Sequence, residues 1–193
     1  FKFYTNPNDF DYQFIIDWGD GTVETYNYYT PYHDYDTAGL YTITIKGDLP
    51  YIFFYFSSNN DDNAKFLRTV EQWGDNRWYS MENTFRRADT LVINAADSPD
   101  LSSVSVMSGI FQNATYFNSD ISGWDVSNVV NMENLFRNAD SFNQDIGDWN
   151  VSKVTRMDGM FLGAKSFNQD IGNWDVSKVT RMDGMFWNAT LFN

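Results

Sequence analysis

Few side chains in this sequence are suited to catalytic chemistry. The 193 residues include no cysteine and one histidine, His33, which excludes thiol nucleophiles, disulfides and multi-histidine metal sites. His33 is the one candidate general base near neutral pH, but a histidine at the start of a predicted strand more often bonds to a turn. Paired carboxylates would suit glycoside hydrolysis, yet 26 acidic residues create such pairs by chance. We therefore predict a protein that is not an enzyme.

The turn sequence DWGDGTVE holds Asp17, Asp20 and Glu24, a set of carboxylates suited to calcium. Their commoner role is to fix a turn through hydrogen bonds to the backbone. The rest of the chain has none of the repeating calcium signatures, and this turn lacks the third glycine and following helix of a phosphate-binding loop. We predict no cofactor, because no specific motif supports calcium.

The net charge of the chain limits the classes of partner that it can bind. It carries 13 basic and 26 acidic residues, a formal net charge of −13, so nucleic acid and anionic membranes are disfavoured. The longest apolar run, residues 51–56, is far shorter than the ~20 residues of a membrane helix. Hydrophobic residues make up 42% of the sequence, which excludes a disordered acidic tail.

The sequence repeats with a period of 25 residues. Two nearly identical units span residues 141–165 and 166–190, a weaker unit spans 115–139, and the array covers roughly 66–193 and ends in mid-unit, so we expect the natural chain to continue. This period predicts a leucine-rich-repeat-type α/β solenoid. Each unit should supply one short parallel strand, near 141–146 in the unit 141–165, and a short helix from Met157 onward. The column of asparagines at 118, 143 and 168 is expected to bond to the backbone of neighbouring units.

Two sets of repeated side chains are candidates for ligand binding. A tryptophan column facing outward would stack on sugar rings, although we favour the alternative that these rings fill the core. A basic stripe would dock an acidic partner, although such a stripe is more often a solvated face paired with nearby Asp. The two sets comprise Trp124, Trp149 and Trp174, and Lys153, Arg156, Lys178 and Arg181.

The first fifty residues have a different pattern. Residues 12–18 and 40–46 alternate as strands, and Gly19–Thr22 forms a tight turn between strands. These features predict a small all-β sandwich over residues 1–49. Residues 50–65 are predicted to form a buried junction strand and a loop that lead into the repeats at 66–193.

The repeat FNQDIGxWDVSKVTRMDGMFxxA closely resembles the repeats of BspA-like leucine-rich-repeat surface proteins of bacteria. The stretch VEQWGDNRW, residues 70–78, resembles the segment that enters the repeats of that family. The front piece IIDWGDGTVE, followed by His33, Tyr35 and GLYTIT, is similar to a PKD domain, an Ig-like sandwich. The expected fold is therefore mainly β with short helices, a PKD-like sandwich followed by a leucine-rich-repeat-type α/β solenoid.

This resemblance implies secretion and display on a bacterial cell surface, and better-known members of the family are adhesins. We predict an extracellular module that binds protein partners through a repeated face. The alternatives are a glycan-binding module with aromatic platforms and a passive spacer. The last repeat has no cap, so self-association through its apolar edge is also expected.

Overall fold

The computed structural model describes residues 1–5, 13–27, 30–49, 51–54 and 63–193. Pro50 and residues 55–62 of the predicted junction lie outside these ranges. The elements within them are short: strands β1 (Phe14–Asp17), β2 (Val23–Tyr26), β3 (Thr44–Gly47), β4 (Thr69–Val70) and β5 (Val92–Ile93), and a 3₁₀ helix at Ala64–Phe66. No helix in these ranges is long and apolar enough to cross a membrane.

The amino-terminal strands form one antiparallel sheet of order β2-β1-β3. Phe14 and Ile16 of β1 are buried while Ile15 between them is exposed, as the two-residue period of a strand requires. The turn from β1 to β2 closes with a hydrogen bond from the Trp18 N–H to the Thr22 carbonyl, 3.0 Å. Gly19 turns the chain there with a φ of +81°.

The predicted sandwich-plus-solenoid architecture is wrong. The described part of residues 1–49 contains one sheet of four-residue strands and no second sheet to make a sandwich. The repeats contain neither the predicted strand near 141–146 nor the predicted helix; turns and single parallel bridges replace them. The α/β solenoid of leucine-rich repeats, built from a strand and a helix per unit, is therefore not this fold.

The repeat units nonetheless stack on one another through backbone hydrogen bonds. In the unit 141–165, the N–H groups of Met157, Gly159 and Phe161 donate to carbonyls of the next unit, 24 residues later, at 2.8 to 2.9 Å. The N–H groups of Met160 and Leu162 donate three residues back within their own unit. Alternate N–H groups thus close a turn and join two units, which leaves no regular helix or sheet.

Left-handed residues explain why the helical spacing of this segment does not give a helix. Each unit has two of them four residues apart, such as Gly159 (φ +57°) and Gly163 (φ +73°), and the corresponding positions hold only Asn, Gly or Arg. Left-handed backbone ends a helical turn, and Gly and Asn adopt it at the lowest cost. Met157, Phe161 and Ala164, which are four and three residues apart, therefore lie on successive turns, and all three side chains are buried.

Phenylalanine rings form the centre of the stack. Phe111, Phe136 and Phe161 lie face to face, with ring centroids 5.8 and 5.6 Å apart. A second column, which includes Phe142 and Phe167, has a spacing of 6.1 Å. All five rings are fully buried, and each contributes roughly 1.5–3 kcal/mol of transfer free energy. Because a ring in one unit packs on rings in its neighbours, the core is continuous along the repeats.

The segments that follow the sheet pack against the first part of the stack. Phe54 stacks on Phe85 at a centroid distance of 6.5 Å. The side chain of Asn76 binds the backbone of Leu49 through two hydrogen bonds of 2.8 and 3.2 Å. Residues 51–54 of the predicted junction strand alternate between half-buried and buried and form one bridge, Tyr4 to Phe53. The predicted division at 49 and 65 stays a prediction.

The last unit is more exposed than the others. Val176, Met182 and Leu191 are 42%, 41% and 60% exposed, whereas the methionines in the column of Met182 are fully buried. Self-association through this unit stays a prediction.

Alanine substitution of a glycine with left-handed backbone tests the packing between units directly. A Cβ on Gly159 would lie 2.7 Å from the side-chain oxygen of Asn134, whereas one on Gly184, at φ +61°, meets no atom closer than 3.8 Å. Both alanine substitutions carry the backbone cost, and Gly159→Ala adds roughly 1 kcal/mol because the side-chain amide of Asn134 must move away from the new Cβ. We expect Gly159→Ala to lower the free energy of unfolding by that much more than Gly184→Ala in urea denaturation.

Asn134→Gly provides the control for that comparison, because it removes the side-chain oxygen that the added Cβ at position 159 would meet. In the double variant the extra loss should largely disappear. Equal losses in Gly159→Ala and Gly184→Ala, or no coupling with residue 134, would contradict this packing.

Candidate interaction surface

The three repeated tryptophans lie in the core. Trp124, Trp149 and Trp174 are 5%, 4% and 8% exposed. The indole N–H of Trp149 donates to the carbonyl of Ile121 at 3.3 Å, and that of Trp174 donates to Ile146 at 3.1 Å. Each of these two rings therefore ties its unit to the preceding one, and a buried ring offers no face to a sugar.

The unit before Trp124 has Pro99 in the tryptophan column, 25 residues earlier. Trp73 lies in the column one unit before Pro99, and its ring meets that of Trp124 edge to face with centroids 5.6 Å apart. Trp73 and Trp124 are thus in direct contact although the unit between them has a proline in this column.

The two arginines of the basic stripe are paired with acids of the stack. Arg156 contacts Glu133 of the preceding unit, and its Nε lies 3.6 Å from the carboxylate of Asp158. Arg181 contacts the same carboxylate at 3.1 Å. Asp158 is 7% exposed, so this ladder of alternating charges is built into the stack. The prediction of a face paired with nearby Asp fits these two residues better than a docking stripe.

The lysines of the stripe differ from the arginines. The ammonium of Lys153 donates to the side-chain oxygen of Asn128 at 2.6 Å, 25 residues earlier. Lys178 is exposed, and we find no ion pair for it in the part of the chain that the structure describes. The seven candidate residues therefore do not converge on one site.

The repeated Asn and Asp side chains accept hydrogen bonds from backbone N–H groups. The side-chain oxygens of Asn118 and Asn143 accept the backbone N–H 25 residues later at 2.9 and 2.8 Å, as predicted for an asparagine ladder. The carboxylate of Asp120 accepts the backbone N–H of Ser122 at 2.9 Å, and this bond lowers the pKa of Asp120. Asp125 accepts the N–H of Ser127 in the same way. These carboxylates stabilise turns.

His33 and the predicted calcium carboxylates meet at the amino-terminal turn. The His33 ring stacks on Trp18 with centroids 5.1 Å apart, and its Nε2 lies 2.6 Å from the Asp20 carboxylate. Asp17 accepts the N–H of Gly19, and Glu24 accepts the indole N–H of Trp18 and the Tyr26 hydroxyl. Each acid thus has a local partner. Among the described residues, no cluster of three acidic or histidine side chains is placed to hold a metal ion.

Sequence reasoning missed two large side chains that the repeat stack exposes. Tyr116 is 69% exposed and Trp187 is 70% exposed. Neither recurs in the other units, whose corresponding residues include Ser141 and Leu162. A search for repeated columns passes over such positions, and their departure from the repeat is the signal that identifies them.

The geometry defines a repeat protein, in which short turn-built units stack beside a small antiparallel sheet. The repeated Trp, Asn and Arg side chains described above contact neighbouring units of the stack. The chain belongs to the family described as "Mycoplasma protein of unknown function, DUF285", which matches residues 79–193. Comparisons with curated proteins and with solved structures gave no match.

The carboxylate of Asp20 should make the free energy of unfolding depend on pH in the acidic range. Its contacts with His33 and with the Thr22 N–H lower its pKa from 3.8 to about 2. A pKa that is lower in the folded state stabilises the protein above pH 3.8, and this contribution is lost as the pH falls through 2. We expect the difference in unfolding free energy between wild type and Asp20→Asn to be constant near pH ~5 and to shrink toward pH ~2. A difference that does not change with pH would contradict the contact.

The arginine ladder gives a second comparison of stability. Arg156→Met leaves Glu133 without its arginine and Asp158 with Arg181 alone, and should lower the free energy of unfolding by roughly 1 kcal/mol. Lys178→Met removes the same charge from an exposed side chain and should change it by less than about 0.5 kcal/mol. Thermal denaturation of the two variants measures this, and equal effects would show that the ladder does not stabilise the stack.

Proposed function

We propose that the chain is an extracellular interaction module that binds a protein partner through a lateral face of its repeat stack. The observation that carries this proposal is the exposure of Tyr116, an aromatic side chain that is 69% exposed on a stack whose repeated aromatic residues pack in or against the core. Tyrosine is one of the residue types enriched at the hot spots of protein-binding surfaces.

The alternative of glycan binding has less support. A glycan would stack on the tryptophan column, and the three rings of that column are buried. The two exposed rings, Tyr116 and Trp187, occupy different positions of their units and so do not form a ladder along the stack. A sugar chain stacking on successive rings needs them in one line, whereas a protein surface can contact them separately.

Surface display follows from the resemblance to bacterial surface proteins and is part of the proposal. The absence of cysteine is consistent with it. The acidic body, with a net charge of −13, keeps the chain away from anionic membranes and nucleic acid. The partner is therefore sought among extracellular proteins.

A binding screen tests this function. The immobilised 193-residue chain is offered to a panel of extracellular matrix proteins and to a glycan array, with and without calcium. We expect saturable binding to a protein, unchanged by chelation of calcium, and no glycan signal. A glycan signal alone would favour the alternative, and a blank on both panels would favour the passive spacer; either result contradicts the proposal.

A further inference from the structure

The unit 166–190 presents a face that is already used as an interface elsewhere in the stack. This unit differs from the unit 141–165 at five positions. The following unit covers that side of 141–165, where Met157 is fully buried, whereas the equivalent Met182 is 41% exposed. We call the outward side of residues 180–190 the open face. It repeats, with nearly the same residues, an interface that is closed between the two units.

Backbone groups at the closed interface follow a defined order. Four alternate N–H groups donate to the following unit at 2.7 to 2.9 Å, those of Met157, Gly159, Phe161 and Gly163. The carbonyls on either side of this row accept instead: Thr155 from Thr180 at 2.9 Å, and Lys165 from Leu191 at 3.2 Å. Each unit thus offers four donors between two acceptors to the next.

The open face offers the same order of groups without partners. Among the described residues, no backbone group bonds to the N–H groups of Met182, Gly184, Phe186 and Asn188 or to the carbonyls of Thr180 and Thr190. A backbone group that is buried without a partner is costly, so an occupant must present carbonyls and N–H groups in the complementary order. The side that the unit 166–190 turns toward 141–165 has this order, and a further repeat unit would have it as well.

The acidic column specifies one side chain of the occupant. Glu133 contacts Arg156 of the following unit, and Asp158 contacts Arg181 of the following unit at 3.1 Å. The next acid of the column, Asp183, is exposed, and in the part of the chain that the structure describes no basic side chain pairs with it. Charge complementarity therefore favours an occupant with arginine in this column.

The aromatic columns specify a ring and the point where the occupant begins. Phe186 packs on Phe161 with centroids 5.5 Å apart and is partly buried, so a further phenylalanine would continue this column. Phe192 already packs on Phe167 at 5.8 Å, and the N–H of Asn193 donates to the side chain of Asn168 at 3.0 Å. Residues 191–193 thus take the place of 166–168, and the occupant begins at the equivalent of residue 169.

A second copy of this chain fits the open face less well. Two copies that met through their open faces would place N–H groups opposite N–H groups and carbonyls opposite carbonyls. The other end of the stack is covered, since Phe54 stacks on Phe85 and the Tyr51 hydroxyl donates to the Glu82 carbonyl at 2.8 Å.

We propose that the open face is a docking surface for a repeat segment of a second polypeptide, with arginine in the column of Arg181 and phenylalanine in the column of Phe186. The arginine pairs with Asp183 and fixes the register, and the backbone of the segment satisfies the row of donors and acceptors. The inference goes beyond the proposed function, because it concerns the end of the stack and not its lateral face.

A synthetic peptide that copies residues 169–190 tests the proposal, with fluorescence anisotropy to measure its binding to the 193-residue chain. We expect saturable binding of this peptide and none of a scrambled peptide of the same composition. Amide hydrogen exchange should show that binding protects the N–H groups of Met182, Gly184, Phe186 and Asn188 of the chain. Binding of both peptides, binding of neither, or no protection of these groups would overturn the proposal.

Charge exchange tests the register. In the peptide, Arg181→Glu should weaken binding about tenfold or more, because it places two carboxylates together, whereas Lys178→Glu, the same change at a side chain without an ion pair, should weaken it less than about twofold. In the chain, Asp183→Arg should restore binding of the Arg181→Glu peptide, which a misfolded chain would not, and Asp36→Arg should not restore it. Equal losses for the two peptides, or no restoration, would disprove the arginine contact.

Sedimentation of the chain alone separates the occupants. We expect a monomer at the concentrations used for peptide binding. A dimer that protects the same four N–H groups would assign the open face to a second copy and overturn the proposal. The matrix-protein screen is independent of this result, because a ligand of the lateral face would still bind the chain when the peptide occupies the open face.

Discussion

The structure depends on hydrogen bonds that cross from one repeat unit to the next. Each unit folds as a series of tight turns, and alternate N–H groups, such as those of Gly159 and Phe161, point along the stack to the following unit. Left-handed Asn and Gly make this alternation possible, because they end each turn before a helix can form. A turn with only half of its N–H groups bonded internally is unstable alone, so a unit is stable only between neighbours.

Side chains that recur in several units are used by this arrangement. Trp149 and Trp174 donate to the preceding unit, Phe136 and Phe161 stack in the core, and Asp158 lies between two arginines. A residue that must bind its own neighbours is poorly placed to bind a partner. Side chains that do not repeat are therefore better candidates for contact with a partner, because fewer contacts within the stack fix their identity.

The sequence was sufficient to identify the repeats, their apolar positions and the role of the asparagine column, because a 25-residue period and burial are both visible in residue types. It predicted β1 and β3 approximately, from the alternation that ends near Trp18 and Lys46. It did not predict the turns that replace the helix, since Met157, Phe161 and Ala164 have helical spacing in either case. The left-handed backbone at Gly159 and Gly163 decides between them, and only the conformation shows it. The exposed Tyr116 and Trp187 were missed because they do not repeat.

Amide hydrogen exchange on the 193-residue chain tests the stacking most directly. The N–H groups of Met157, Gly159, Phe161 and Gly163 bond to the next unit, whereas those of Met182, Gly184, Phe186 and Asn188 have no backbone acceptor among the described residues. We expect strong protection of the first set, and of its equivalents at 107–113 and 132–138, with fast exchange of the second. Fast exchange at residues 157–163, or equal protection of both sets, would contradict it.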